Sequence, residues 1–140
     1  MVIRIEGNPR PYQSVRFTRK GIAYKSKEAR EHADFLKRTI QAQVPEDHEL
    51  WDGPIIIQKA TFCFTHPKSW SKKKVAELES GVTFYKDTKP DLHDNLFKAV
   101  IDAMEGIIFT NDSRIVKLEN AQKIWGIVGY TEISLLNSIN

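Results

Sequence analysis

The chain of 140 residues has a single cysteine, Cys63, so it cannot form an internal disulfide. No Cys/His set has the spacing of a zinc site, and no glycine-rich Walker loop is present. Cys63 lies in the apolar run ATFCF, where a small core residue is expected rather than a nucleophile. No apolar run approaches the ~18 residues that a membrane helix needs. The opening residues, MVIRIEGNPRP, lack the apolar core and small-residue cleavage site of a secretory signal. A cytoplasmic protein with no membrane association is expected. There is no repeat, low-complexity tract or linker, so residues 1–140 are expected to form one domain with a real core.

Net charge is also small, +3, but it is uneven. Residues 1–90 carry 17 Lys and Arg against 11 Asp and Glu; residues 91–140 carry 4 against 7. A basic first part beside an acidic last third suits a polyanion-binding surface around a metal-holding centre. Chance clustering on a solvated surface gives the same count.

The first basic segment carries Arg10, Arg16, Arg19, Lys20 and Lys25, interleaved with Tyr12, Phe17 and Tyr24. Cations of this kind neutralise phosphates, and aromatic faces stack on bases. The same residues also read as a hairpin turning at Lys20-Gly21, with aromatics inward and cations outward. A second cluster, Lys68, Lys72, Lys73 and Lys74 with Trp70, is the densest in the chain.

Between and around these segments the elements are legible. Residues 2–6 alternate as a half-buried strand. Ser26 reads as a helix N-cap with Glu28 in the first turn. That helix runs to about Gln43, with Ala29, Ala33, Leu36, Ile40 and Val44 on its packed face. Lys27/Glu31, Arg30/Asp34 and Asp34/Arg38 are available as i,i+4 pairs on the other face. Residues 54–65 are the strongest strand signal. A short helix starts near Ser71 and stops at Gly81. Residues 82–87 read as a flexible approach to the stretch that begins at Lys89. Strands are expected from Ile115 and over VGYTEISLLN. The order predicts an α+β domain with a mixed or mostly antiparallel sheet packed with helices.

The stretch KPDLHDNLFKAVIDAMEGIIFTND, residues 89–112, holds the chemistry. Asp94 reads as an N-cap and Asn95 to Glu105 as a helix ended by Gly106. Asp94, Lys98 and Asp102 then share one exposed face, and Asp91 lies just before the helix. Ile107 to Phe109 reads as a short strand that returns Asp112 towards the helix N-terminus. Hard carboxylate oxygens on loops and element ends suit Mg²⁺, with Mn²⁺ an alternative. Such an ion polarises a phosphodiester and activates water, and Lys98 would neutralise charge at the phosphate. A capped helix with surface acids has the same spacing.

The stretch KPDLHDNLFKAVIDAMEGIIFTNDSRIV resembles the signature of the RusA family of Holliday junction resolvases, small phage and prophage endonucleases. Its core is K-P-D-x-D-N-x-x-K-x-x-x-D-A, then a glycine, an apolar strand, an acidic pair and S-x-I/V. The opening G-x-P-x-P, the following R-F-T-x-x-G-x-x-Y and PKSWSKKK resemble members as well. By motif position Asp91, Asp94 and Asp112 match the family's metal-binding acids and Lys98 its catalytic lysine. Asn95 matches the asparagine beside the second acid. Asp102 falls on the D-A position, and its place two turns from Asp94 reads as helix surface.

The resemblance implies a Mg²⁺-dependent homodimer that nicks opposed strands of a four-way DNA junction. The two basic segments (Arg10, Arg16, Arg19, Lys20, and Lys68, Lys72, Lys73, Lys74) and Asn95 would meet the DNA. A nuclease for other branched DNA, or a silent junction-binding protein, would share most of these features. Two departures stand out. One extra residue separates Asp91 from Asp94, so either the helix starts earlier or His93 bulges out. Asn111 stands where many members have an acid.

Overall fold

A computed structural model describes residues 1–11 and 16–138; Tyr12 lies outside them. The elements run β1 (Val2–Glu6), β2 (Arg16–Phe17), β3 (Ala23–Tyr24), α1 (Lys27–Gln43), β4 (Ile55–Thr65), α2 (Lys72–Glu79), α3 (Lys98–Met104), β5 (Ile115–Leu118), β6 (Ala121–Gly126) and β7 (Tyr130–Asn137). A π-helical segment, Leu92–Phe97, leads into α3, and a 3-10 turn, Asp112–Arg114, precedes β5. The class is α+β with a mixed sheet, as expected. The chain separates into two compact units.

The first unit comprises Met1–Pro9, Gly53–Lys89 and the chain from Ile115 onward. It is built on β4, whose β-branched and aromatic run bonds on both edges. β7 lies antiparallel on one edge, and β5 then β6 lie parallel on the other. A strand bonded on both sides reads as a near-continuous apolar run, and β4 does. The register against β7 slips between Ile57 and Lys59. At that level the other edge passes from β5 to β6: Glu119 N–H donates to Ile57 O, and Ala60 N–H to Asn120 O. β1 pairs with β7 antiparallel. Ile3, Ile57, Phe62, Ile133 and Leu135 form the core, each worth about 1.5–3 kcal/mol when fully buried.

Cys63 is buried in this core as expected, and burial raises its thiol pKa. Ser71 caps α2 by accepting from Lys74 N–H. Residues 82–87 are not the flexible approach that the sequence suggests. Trp125 N–H donates to Phe84 O and Lys86 N–H to Lys123 O, both at 2.9 Å, so the segment extends the sheet beyond β6. Phe84 also packs edge-on to Trp70 at 5.2 Å, which gives the segment an apolar anchor.

The second unit comprises Arg10–Asp52 and Pro90–Arg114. Ser26 accepts from Ala29 N–H at 3.2 Å and starts α1 where its sequence predicts. Ala29, Leu36, Ile40 and Val44 are buried, Ala33 is half-buried, and α1 lies against α3. Lys27 and Glu31 pair at 3.8 Å on the exposed face. β2 and β3 form the expected hairpin, with Gly21 at φ +79° in its turn. Its aromatics are not inward, however: Phe17 is 67% and Tyr24 45% exposed. Two-residue strands have too little surface to bury them.

The helical stretch also differs from its expected form. Asp94 is not the N-cap; the helix begins at Leu92, with Asp91 at the cap position and no side-chain cap bond. Leu96 N–H reaches back five residues to Asp91 O at 3.1 Å, a π-type bond. The early start and the wide turn together accommodate the extra residue between Asp91 and Asp94. Gly106 to Ile108 form a turn, and Phe109 makes only isolated bridges to Trp51 and Glu105, so the expected strand is absent here. Gly106 takes φ +83°, and its N–H donates to Phe109 O at 2.8 Å. A left-handed glycine folds the chain back too tightly for a strand to form there.

Candidate metal centre

The chemistry-bearing acids sit at both ends of one helical stretch. At its start, Asp91, His93 and Asp94 are exposed, and His93 Nε2 lies 3.3 Å from Asp94 Oδ2. Asn95 is half-buried beside them. The apolar residues Leu96, Phe97, Ala99, Val100, Ala103 and Met104 are buried and hold the helix in place. Lys98 and Asp102 project from the other face, with Lys98 Nζ 3.6 Å from Asp102 Oδ2.

At the far end the chain folds an acidic group together. Asp102 lies on α3, Glu105 is its C-cap, and Asp112 opens the 3-10 turn. One ligand oxygen from each lies within 4.8 Å of the others. Among the described residues this is the one such set of three or more His, Cys, Asp or Glu. Asp102 and Glu105 share a helix face at i,i+3, and the Gly106 turn brings Asp112 back to them. Asp91 and Asp94 do not join the group. Asp94 precedes Asp102 by eight residues, about 12 Å of ordinary helix rise.

The Asp112 turn is pinned from both sides. Trp51 N–H donates to Ile108 O at 2.9 Å, and Thr110 N–H to Trp51 O at 3.0 Å. His48 Nε2 lies 2.9 Å from Ile108 O. Phe109 and Ile108 are fully buried beneath. The Thr110 hydroxyl donates to Asp52 Oδ1 at 2.7 Å, and Arg114 pairs with the same oxygen at 3.0 Å. These contacts, the Thr110 hydroxyl first and the Arg114 charge second, hold the Asp52 carboxyl below its ordinary pKa. Asn111, at the motif position where an acid is usual, has a structural role: its Oδ1 accepts from Ser113 N–H at 2.8 Å and shapes the turn.

The donor set fits a hard divalent cation. The three oxygens, all within 4.8 Å of one another, are near enough for one ion to be reached by each after small side-chain shifts. Three carboxylates without a cation repel one another, and a bound ion relieves that repulsion. Asp102 and Glu105 therefore join Asp112 as candidate ligands. The sequence signal for them is an i,i+3 acidic pair immediately before a turn-forming glycine. By periodicity Glu105 reads only as the end of a helix, and Asp102 only as helix surface.

The predicted DNA-facing cations divide between the units. Arg10, Arg16, Arg19 and Lys20 are exposed in the second unit; Lys68, Lys72 and Lys73 are exposed in the first. Lys74 is half-buried, its Nζ 4.0 Å from the Trp70 ring centroid. No helix among the described residues is long and apolar enough to cross a membrane. A protein-family model described as Endodeoxyribonuclease RusA matches residues 6–135. No curated protein matches the chain.

Proposed function

The chain belongs to the RusA endodeoxyribonuclease family, and on that premise we propose that it is a divalent-metal-dependent enzyme that resolves four-way DNA junctions. The observation that carries the metal reading is the grouping of Asp112 with Asp102 and Glu105. Asp112 is the acid common to that group and to the motif. In this reading Asp112, Asp102 and Glu105 hold Mg²⁺ or Mn²⁺ in the DNA-free chain, and Asp91 and Asp94, at the other end of the helical stretch, hold metal only together with a DNA phosphate. A bound ion would supply Lewis acidity at a phosphodiester and lower the pKa of a bound water. Lys98 neutralises charge at the phosphate, and Asp102 holds the lysine in place in the free chain. Asn95 and the two basic segments meet the DNA backbone.

The family match spans nearly all of the chain, which supports the reading of residues 1–140 as one endonuclease domain. Paired, symmetric nicks require two sites, so the active form is a homodimer in a recombination or repair setting. It acts in the cytoplasm of a bacterium or a phage-infected cell.

A labelled four-way junction incubated with Mg²⁺ or Mn²⁺, beside forked and plain duplex DNA, tests this reading. Paired nicks in the junction, lost in Asp112→Asn, are expected. Preferential cutting of the fork assigns a different branched substrate to the same site. Binding without nicks in either metal overturns the enzyme reading and leaves a junction-binding module.

A further inference from the structure

The first unit carries a second cluster of cations that neither basic segment includes. Lys86 Nζ donates to Thr88 Oγ1 at 2.5 Å, and Lys123 Nζ donates to the backbone oxygen of the same Thr88 at 2.7 Å. One residue thus gathers two ammonium groups. Lys86 is held further by the face of Trp125, 4.5 Å from its Nζ, and by Phe64 at 5.2 Å. Phe64 and Trp125 meet edge to face at 6.3 Å, and Trp70 meets Trp125 at 6.0 Å and Phe84 at 5.2 Å. Lys74 Nζ lies over Trp70 at 4.0 Å and over Phe84 at 5.2 Å. The backbone bonds between residues 84–86 and β6 fix the frame.

Two features separate this arrangement from an ordinary surface lysine pair. Like charges brought to one residue repel, and an anion with several acceptor oxygens relieves that repulsion by bridging them. Consistently, desolvation and then the charge of Lys123 lower the Lys86 pKa. Lysine side chains also lose much rotamer freedom when they bind, and here the rings and Thr88 have already restricted them. A DNA phosphate matches the charge and the donor geometry, and the adjoining aromatic wall suits the sugar and base edge beside it.

We propose that Lys86, Thr88 and Lys123 form a binding site for a DNA backbone phosphate, flanked by the Trp70–Phe84–Trp125 aromatic wall. The site rests on the reading of the chain as a DNA-acting enzyme, but it involves none of the candidate metal ligands. It serves strand positioning, so its loss weakens DNA binding without removing the chemistry.

The test measures binding of the full chain to a labelled four-way junction without divalent cation, across a salt series. Lys123→Glu places an acid beside Lys86 and neutralises the pair; Lys86→Gln removes one cation. Each variant is expected to bind on the order of 10-fold more weakly at moderate salt. Each should also lower the slope of log affinity against log salt by about one. With Mg²⁺, kcat should be kept and KM raised. Wild-type affinity and slope in both variants overturn the site. So does a fall in thermal stability with an unchanged salt slope, which marks a purely structural buttress. If the wild type binds but does not nick, while the variants lose affinity and slope as stated, this site stands and the nuclease reading fails.

Discussion

The two ends of the helical stretch from Leu92 to Met104 carry acids in opposite ways. At the start, Asp91 and Asp94 are neighbours in sequence, exposed, and set around a π-type turn. At the finish, Asp102, Glu105 and Asp112 converge because a left-handed glycine and a buried Phe109 fold the chain back. The acids at the start are close in sequence and exposed to solvent; those at the finish are brought together by packing. A metal-binding group in a free protein needs the second kind of construction, because packing offsets carboxylate repulsion before the ion arrives. The exposed acids at the start suit a role that DNA completes.

The comparison breaks most sharply through the core beneath each end. Phe109→Ala should cost about 3–5 kcal/mol and Leu96→Ala about 2–5 kcal/mol in urea unfolding. Only Phe109→Ala should also weaken Mn²⁺ binding under conditions where both variants stay folded, because it undermines the Asp112 turn. Equal Mn²⁺ affinities in the two variants would show that packing at the finish does not organise the acids. A milder change sharpens the start. Deleting His93 should let Leu96 N–H bond four residues back and turn the π segment into ordinary helix, with stability within about 1 kcal/mol of the parent. A loss of several kcal/mol would mean that the wide turn is required for packing.

The smallest effect concerns Asp52, which braces the acidic turn from an exposed position. Its carboxyl pKa is lowered in the fold, so its contribution is present above the ordinary value near 4 and fades as pH falls through the lowered one. Asp52→Asn should therefore lose a little stability at neutral pH and show a flatter decline below about pH 4. Thermal unfolding across pH 2–7 measures it; parallel curves would remove Asp52 from the brace.

Much of this architecture is legible in the residues, and the exceptions have physical causes. The Ser26 cap, the packed face of α1 and the run that makes β4 are local signals, and each element appears where its pattern lies. The start of the helix is misplaced by sequence because an Asp before an apolar period reads as an N-cap, while a five-residue hydrogen bond leaves no mark on that period. Phe17 and Tyr24 read as inward because aromatics usually are, but two-residue strands offer them nothing to pack on. The grouping of Asp112 with Asp102 and Glu105 depends on a tight turn that reads as a strand. Periodicity cannot distinguish three apolar residues in a turn from three in a strand. The pairing of Lys86 with Lys123 joins residues 37 positions apart and lies beyond any local signal.

On the proposed function, Asp112 anchors a metal centre already formed in the DNA-free chain. Titrating Mn²⁺ into the full protein without DNA, by calorimetry or by the spin resonance of free Mn²⁺, tests it most directly. Asp112→Asn is expected to weaken binding at least about 10-fold, while Asp94→Asn changes it less than about 3-fold. Wild-type Mn²⁺ affinity in Asp112→Asn, or loss of binding in Asp94→Asn with Asp112→Asn intact, would show that the ion is not held at Asp112.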